Sequence, residues 1–121
     1  MPPDMSPMPE VCRLRRRREF LFVRDGVTER RRTLVVQARA RVGEEIGEHV
    51  GEGFTATKKI GGAVERNRAK RRLREASRRL LPQHGRPGWD YVFIAREGTL
   101  SHGWARLLDD MESALISLAR T

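Results

Sequence analysis

Residues 61–81 read GGAVERNRAKRRLREASRRLL, and what this stretch requires dictates most of the chain's organisation. Two glycines open it, and Pro82 is expected to end the helix it encodes. With each residue turned about 100° from the last, Ala69, Leu73, Ala76 and Leu80 fall on one narrow stripe. Arg66, Lys70, Arg74 and Arg78 form a second stripe at i, i+4 spacing, and Arg68, Arg71, Arg72 and Arg79 cover much of the remainder. A helix with so little apolar surface needs a larger hydrophobic partner. The flanking sequence offers a sheet. Residues 33–40, TLVVQARA, alternate as a strand: Leu34, Val36, Ala38 and Ala40 point to a core, and Val35, Gln37 and Arg39 point the other way. A second strand is expected at 53–58, GFTATK, and a third at 90–96, DYVFIAR, apolar enough to be covered on both faces.

Helices complete the set. In residues 14–26, LRRRREFLFVRDG, Leu14, Phe20 and Val23 make one apolar face and Gly26 a stop. The arginine run reads equally as a solvated helix start or as a phosphate clamp. From 101 to 119, Trp104, Leu107, Leu108, Met111, Ala114, Leu115 and Leu118 follow a helical repeat, with Ser101 as N-cap. Between the first two strands, residues 41–52 carry Glu44, Glu45, Glu48 and Glu52 among three glycines and read as a mobile acidic loop. The order is helix, strand, strand, helix, strand, helix. This gives an α+β fold, a small mostly antiparallel sheet packed with helices. Residues 1–12, with their prolines, are expected to be a disordered tail before a single domain over 13–121.

Charge narrows the function. The chain has 121 residues with 25 Lys and Arg against 16 Asp and Glu, a net +9. Residues 58–79 hold ten basic and two acidic side chains, so this one segment carries a net +8. Like charges at i, i+4 destabilise a helix by about 0.2–0.5 kcal/mol per pair, a cost that a partner's phosphates reverse. Solvated faces normally mix signs, so a polyanion is the expected partner. Lysine occurs only at 58, 59 and 70, and arginine's planar fork suits phosphates and bases. No membrane partner is expected, because no apolar run approaches the roughly 20 residues of a span, and residues 1–10 do not read as a secretory signal. A lone cysteine, Cys12, forbids an internal disulfide, suits a reducing cytoplasm and reads as a bystander. His49, His84 and His102 lie too far apart for a metal site. No carboxylate pair has metal-site spacing, which argues against a nuclease that acts alone.

The run from Gly53 to Leu80, GFTATKKIGGAVERNRAKRRLREASRRL, resembles the RNR signature of the bacterial ribonuclease P protein family. The matching positions are Gly53, Lys58, Lys59, Gly61, Ala63, Val64, Arg66, Asn67, Arg68, Lys70, Arg71, Arg74 and Glu75. Arg13, Leu14, Glu19, Phe20 and Val23 are similar to the family's first helix and DYVFIAR to its late strand, so the likeness runs over about residues 13–118. The resemblance implies a left-handed βαβ crossover, against the usual rule. It also implies a role as protein subunit of ribonuclease P, the endoribonuclease that removes the 5′ leader of precursor tRNA, with catalysis in an RNA subunit and magnesium in that RNA's active site. No cofactor of the protein itself and no catalytic residue in the protein are implied. Lys58, Lys59, Arg66, Asn67, Arg68, Lys70, Arg71 and Arg74 would face the catalytic RNA. Phe20, Val35, Gln37 and Arg24 would belong to a cleft for the leader.

Three positions depart from the pattern: Gly62 stands for an asparagine, Thr57 for a serine, and Arg24 where many members carry a second cleft aromatic. The alternative is a ribosomal-type or other structural RNA-binding protein. A DNA-binding regulator would need a helix-turn-helix pair, and strands flank the basic helix here.

Overall fold

The computed structural model describes residues 8–43 and 47–121. Residues 1–7 of the expected tail, and Glu44 and Glu45 of the acidic loop, lie outside them. The elements are β1 (Val11–Arg13), α1 (Arg17–Arg24), β2 (Val27–Arg30), β3 (Leu34–Ala40), β4 (Val50–Thr55), a 3-10 turn (Lys58–Ile60), α2 (Ala63–His84), β5 (Trp89–Ala95), α3 (Glu97–Ser101) and α4 (Trp104–Ala119).

The five strands form one sheet in the order β1-β4-β5-β3-β2. It is evenly mixed rather than mostly antiparallel. β3 runs antiparallel to β2 and β5, while β4 runs parallel to β5 and β1. The parallel pair follows from α2, which carries the chain from the end of β4 back to the start of β5, as a strand-helix-strand unit must. This crossover is the one whose hand the family resemblance concerns. Alternation in a strand reports which face a side chain takes, not the direction of the strand's neighbours, so the mixed pattern was hidden in the sequence.

One face of the sheet carries the main core. Leu34, Val36, Ala38, Tyr91, Phe93 and Ala95 are buried there against Ala69, Leu73, Ala76 and Leu81 of α2 and Leu107, Met111, Ala114, Leu115 and Leu118 of α4. Val35, Gln37, Val92 and Ile94 occupy the opposite face, set side by side by the β3–β5 register. α1 covers this second face, where Leu14, Val23 and Val92 form a smaller cluster with Phe20, Phe22 and Ile94.

Several expectations are corrected. Val11–Arg13 is a strand, not tail: Val50 donates its N–H to Glu10 O at 2.8 Å and Leu14 donates to Glu52 O at 2.8 Å. This pairing also moves the second strand to Val50–Thr55, with Val50 buried. Pro82 does not stop α2. It sits in the last turn, where it forfeits one bond, and Gly85 N–H closes the end on Leu81 O at 2.7 Å. Ser101 is not an N-cap. It ends α3, and α4 begins after Gly103 without a side-chain cap. The interruption lets α3 lie directly on the backbone before β3. A Cβ at Gly98 would meet Arg32 O at 2.4 Å, and buried Thr99 donates its hydroxyl to Thr33 O.

Candidate nucleic-acid interface

The start of α1 is fixed by its own glutamate. Glu19 Oε1 accepts the backbone N–H groups of Arg16 at 2.7 Å and Arg15 at 2.9 Å. Those two bonds hold the Glu19 carboxyl below its ordinary pKa, against a smaller opposing effect of burial. With the start set, Arg17, Phe20, Leu21 and Arg24 recur at i, i+3, i+4 and i+7 and share one flank of the helix. Phe20 can rest on the sheet only because position 53 is glycine. A Cβ there would stand 2.6 Å from the Phe20 ring.

That flank and the sheet enclose an open groove of about 420 Å³, lined by Arg17, Phe20, Leu21, Arg24, Gln37, Thr55, Thr57, Val92 and Ile94. Among the described residues, none of its lining side chains is a carboxylate. An aromatic ring, two guanidinium groups, an amide and two threonine hydroxyls around an apolar floor suit a single strand, which offers bases to stack and phosphates to neutralise.

Of the four residues expected in a cleft, the structure brings Phe20, Arg24 and Gln37 together here. Val35 shares their face but is buried, 6 % exposed, and does not line the groove. Arg39, also on that face, is spent on α1: its guanidinium lies 4.2 Å from the Phe22 ring centroid and donates to Phe22 O at 3.0 Å. Arg17, Leu21, Thr55, Thr57, Val92 and Ile94 also line the groove, beyond the residues expected from the sequence. The i, i+3, i+7 spacing of Arg17, Phe20 and Arg24 could have revealed the first.

Thr57 leads from the groove into the 3-10 turn, where Lys58 and Lys59 are exposed. Gly61 then turns the chain into α2 at φ 141°, a conformation that favours glycine. Gly62 caps α2 without a side-chain bond, and the first turn closes through Arg66 N–H to Gly62 O at 3.0 Å. Buried Ser77 pins the helix to the sheet by donating to Glu52 Oε2 at 2.8 Å.

Pinned this way, α2 turns its charge outward. Asn67, Arg68 and Arg71 are exposed, and Arg66, Lys70 and Arg74 are half-buried along the flank. Arg66 Nη1 donates to Gly61 O at 3.3 Å. Arg74 and Arg13 sit 5.8 and 6.0 Å from the Phe54 ring centroid. Among the described residues, the acid of α2 that makes an ion pair is Glu75, bound to Arg78 at 3.1 Å. The eight residues expected to face RNA, seven of them cations, thus lie on the turn and α2 beside the groove, with Lys58, Lys59, Asn67, Arg68 and Arg71 exposed.

Cys12 lies in β1, where burial and the neighbouring Glu10 carboxylate push its thiol up, away from the reactive thiolate. Among the described residues, no three His, Cys, Asp or Glu side chains group as metal ligands.

Residues 8–119 match the family described as Ribonuclease P. The chain belongs to that family. The ribonuclease P protein component of Caulobacter vibrioides (strain NA1000 / CB15N) is 59 % identical over 107 residues, 88 % of this chain and 70 % of the relative. That of Ruegeria pomeroyi is 48 % identical, covering 98 % of this chain and 96 % of the relative. Among solved structures, the ribonuclease P protein of Thermotoga maritima superposes with a TM-score of 0.62 at 30 % identity, over 89 % of this chain and 94 % of that one. The Staphylococcus aureus protein superposes with a TM-score of 0.72 over 88 % and 94 %; at 24 % identity it speaks to the fold alone. The α+β architecture expected from the sequence is therefore the family's own.

Proposed function

We propose that this chain is the protein subunit of the ribonuclease P ribonucleoprotein, binding its catalytic RNA and the 5′ leader of precursor tRNA. The observation that carries this is the junction of two surfaces. A groove whose lining side chains, among the described residues, include an aromatic ring and no carboxylate opens beside a turn and helix that carry ten basic side chains against two acidic ones over residues 58–79. The groove suits the single-stranded leader, through Phe20, Arg24 and Gln37. The turn and helix suit structured RNA, through Lys58, Lys59, Arg66, Asn67, Arg68, Lys70, Arg71 and Arg74. Phosphate contacts fix register and orientation, so a subunit built this way holds leader and catalyst in one frame.

Among the described residues the groove's lining offers no acid for magnesium, which supports a reading in which the metal that activates water is held by the RNA. The chain's contribution is to position the substrate and neutralise its charge. Residence in the cytoplasm fits this role. A ribosomal-type RNA-binding protein would need no groove for a single strand beside its basic helix.

The test is reconstitution. The full chain, combined with a transcribed bacterial ribonuclease P RNA, is expected to raise cleavage of precursor tRNA at low magnesium, and the chain alone is expected to cleave nothing. Cleavage by the purified protein without RNA, or no effect of the protein on the RNA's activity, would remove the proposal.

A further inference from the structure

The arginines of α2 do not all face the groove side. Arg72 and Arg79, seven residues apart, share a flank about 160° round the helix axis from Arg74. On that flank stands Trp104, the first residue of α4. The Arg72 guanidinium lies 5.9 Å from the Trp104 ring centroid and that of Arg79 lies 5.4 Å away. Arg72 Nη2 also donates to His102 O at 2.9 Å, which ties the side chain to the α3–α4 link. Its Nε is screened from solvent without a hydrogen-bond partner. Among the described residues neither Arg72 nor Arg79 forms an ion pair, and Glu75, the acid between them in sequence, is bound to Arg78.

Two like charges drawn over one ring with no carboxylate between them repel each other, and the ring's attraction for cations offsets this only in part. A partner's phosphates remove the repulsion. The arrangement also prepares the groups for such a partner. A guanidinium stacked on an aromatic ring has lost much of its rotational freedom, so less is lost when its remaining donors grip an anion. The ring is already taken by the two cations, so the surface offers phosphate contacts rather than a platform for a base.

Resting on the reading that the chain binds a folded RNA, we propose that Arg72, Arg79 and Trp104 form a second phosphate-binding surface for that RNA. It lies on the α4 side of α2, away from the leader groove and from the Arg66–Lys70–Arg74 stripe. Arg72 and Arg79 contact the RNA backbone. Trp104 is a positioning residue that holds them. RNA therefore meets α2 on both flanks.

The experiment measures affinity of the full chain for a transcribed bacterial ribonuclease P RNA across a salt series, with thermal melts of every variant. Arg72→Gln/Arg79→Gln is expected to weaken binding about tenfold or more and to flatten the slope of log affinity against log salt by up to about 1.8, two lost phosphates. Trp104→Leu keeps apolar volume but removes the π face. It is expected to weaken binding several-fold, with Trp104→Phe restoring most of the loss. If Trp104→Leu melts early, the double arginine variant decides alone. Wild-type affinity and slope for Arg72→Gln/Arg79→Gln, beside losses for Arg66→Gln/Lys70→Gln, would overturn this surface and leave the subunit role intact. If neither pair altered binding, both would fall.

Discussion

Gly53→Ala tests the contact on which the groove depends. The new Cβ would stand 2.6 Å from Phe20 Cε2, 2.7 Å from Phe20 Cζ and 3.3 Å from Leu14 Cδ1. Carbon atoms in contact sit roughly 3.5–4.0 Å apart, so the ring must retreat by about 1 Å and α1 must follow it. Overpacking of this kind costs about 1–3 kcal/mol. For a chain of this length each kcal/mol lowers the melting temperature by about 4 °C, so a fall of about 4–12 °C is expected. A double-mutant cycle in urea isolates the cause. Phe20→Ala removes both ring atoms that collide, and only the milder Leu14 contact remains. In that background Gly53→Ala should lose at least about 1 kcal/mol of its penalty. Because the ring also lines the groove, Gly53→Ala should reduce the preference for precursor over mature tRNA in the reconstituted complex. Equal penalties for Gly53→Ala in both backgrounds, within about 0.5 kcal/mol, would show that the strain lies elsewhere and that Phe20 does not rest on position 53.

Three further outcomes are expected. Phe20→Ala should cost about 1–3 kcal/mol in affinity for a precursor tRNA with a leader and little for mature tRNA, read by equilibrium binding to the reconstituted complex; equal losses for both would place the ring outside the leader's path. Arg66→Ala and Arg68→Ala should each flatten the salt slope for the catalytic RNA by up to about 0.9, and an unchanged slope in both would detach these arginines from the backbone. Asp110 accepts Thr33 Oγ1 at 2.8 Å, Thr33 N–H at 3.2 Å and Arg106 Nε at 3.0 Å. Burial alone would raise its pKa, but the bonds from Thr33 and Arg106 together with the Arg106 charge outweigh it and hold the carboxyl below its ordinary value. The stability it gives is therefore full above the unfolded value, about 3.9, and is lost as pH falls through the lower folded value. Urea midpoints between pH 2.5 and 6 should show this acid loss in the wild type and less of it in Asp110→Asn; identical curves would assign the acid sensitivity to other groups.

Much of the frame was legible because its signals are local. Ala69, Leu73 and Ala76 fall on one helical stripe and are all fully buried, as are Leu34, Val36 and Ala38 on one strand face. The end of α2 was less legible: Leu80 is only partly buried and Leu81 takes the deeper place, because the helix continues through Pro82. β1 and β2, three and four residues long, are too short to show a period. The groove was half legible. Phe20, Arg24 and Gln37 line it, but its floor and wall, Val92, Ile94 and Thr55, come from two further strands whose neighbourhood only the sheet order decides.

The least legible feature was the glycine pair Gly51 and Gly53. Gly51 had been assigned to a mobile acidic loop, yet the two stand at i and i+2 on β4 and face α1 together. A Cβ at Gly51 would meet Asp90 Oδ1 at 2.1 Å and Leu14 Cδ2 at 2.8 Å, as one at Gly53 would meet Phe20. Glycine inside a strand weakens it and marks a close approach. Here two in alternation clear the first part of one strand face, Gly53 for the Phe20 ring of α1 and Gly51 for Leu14 and Asp90, so that α1 can lie low on the sheet. A helix standing higher, over ordinary side chains, would lift Phe20 from the floor that Val92 and Ile94 provide. The groove is thus made by removing side chains from β4 as much as by placing them on α1. A search for functional groups alone could not have found it, since the residues that create the space have no side chain to notice.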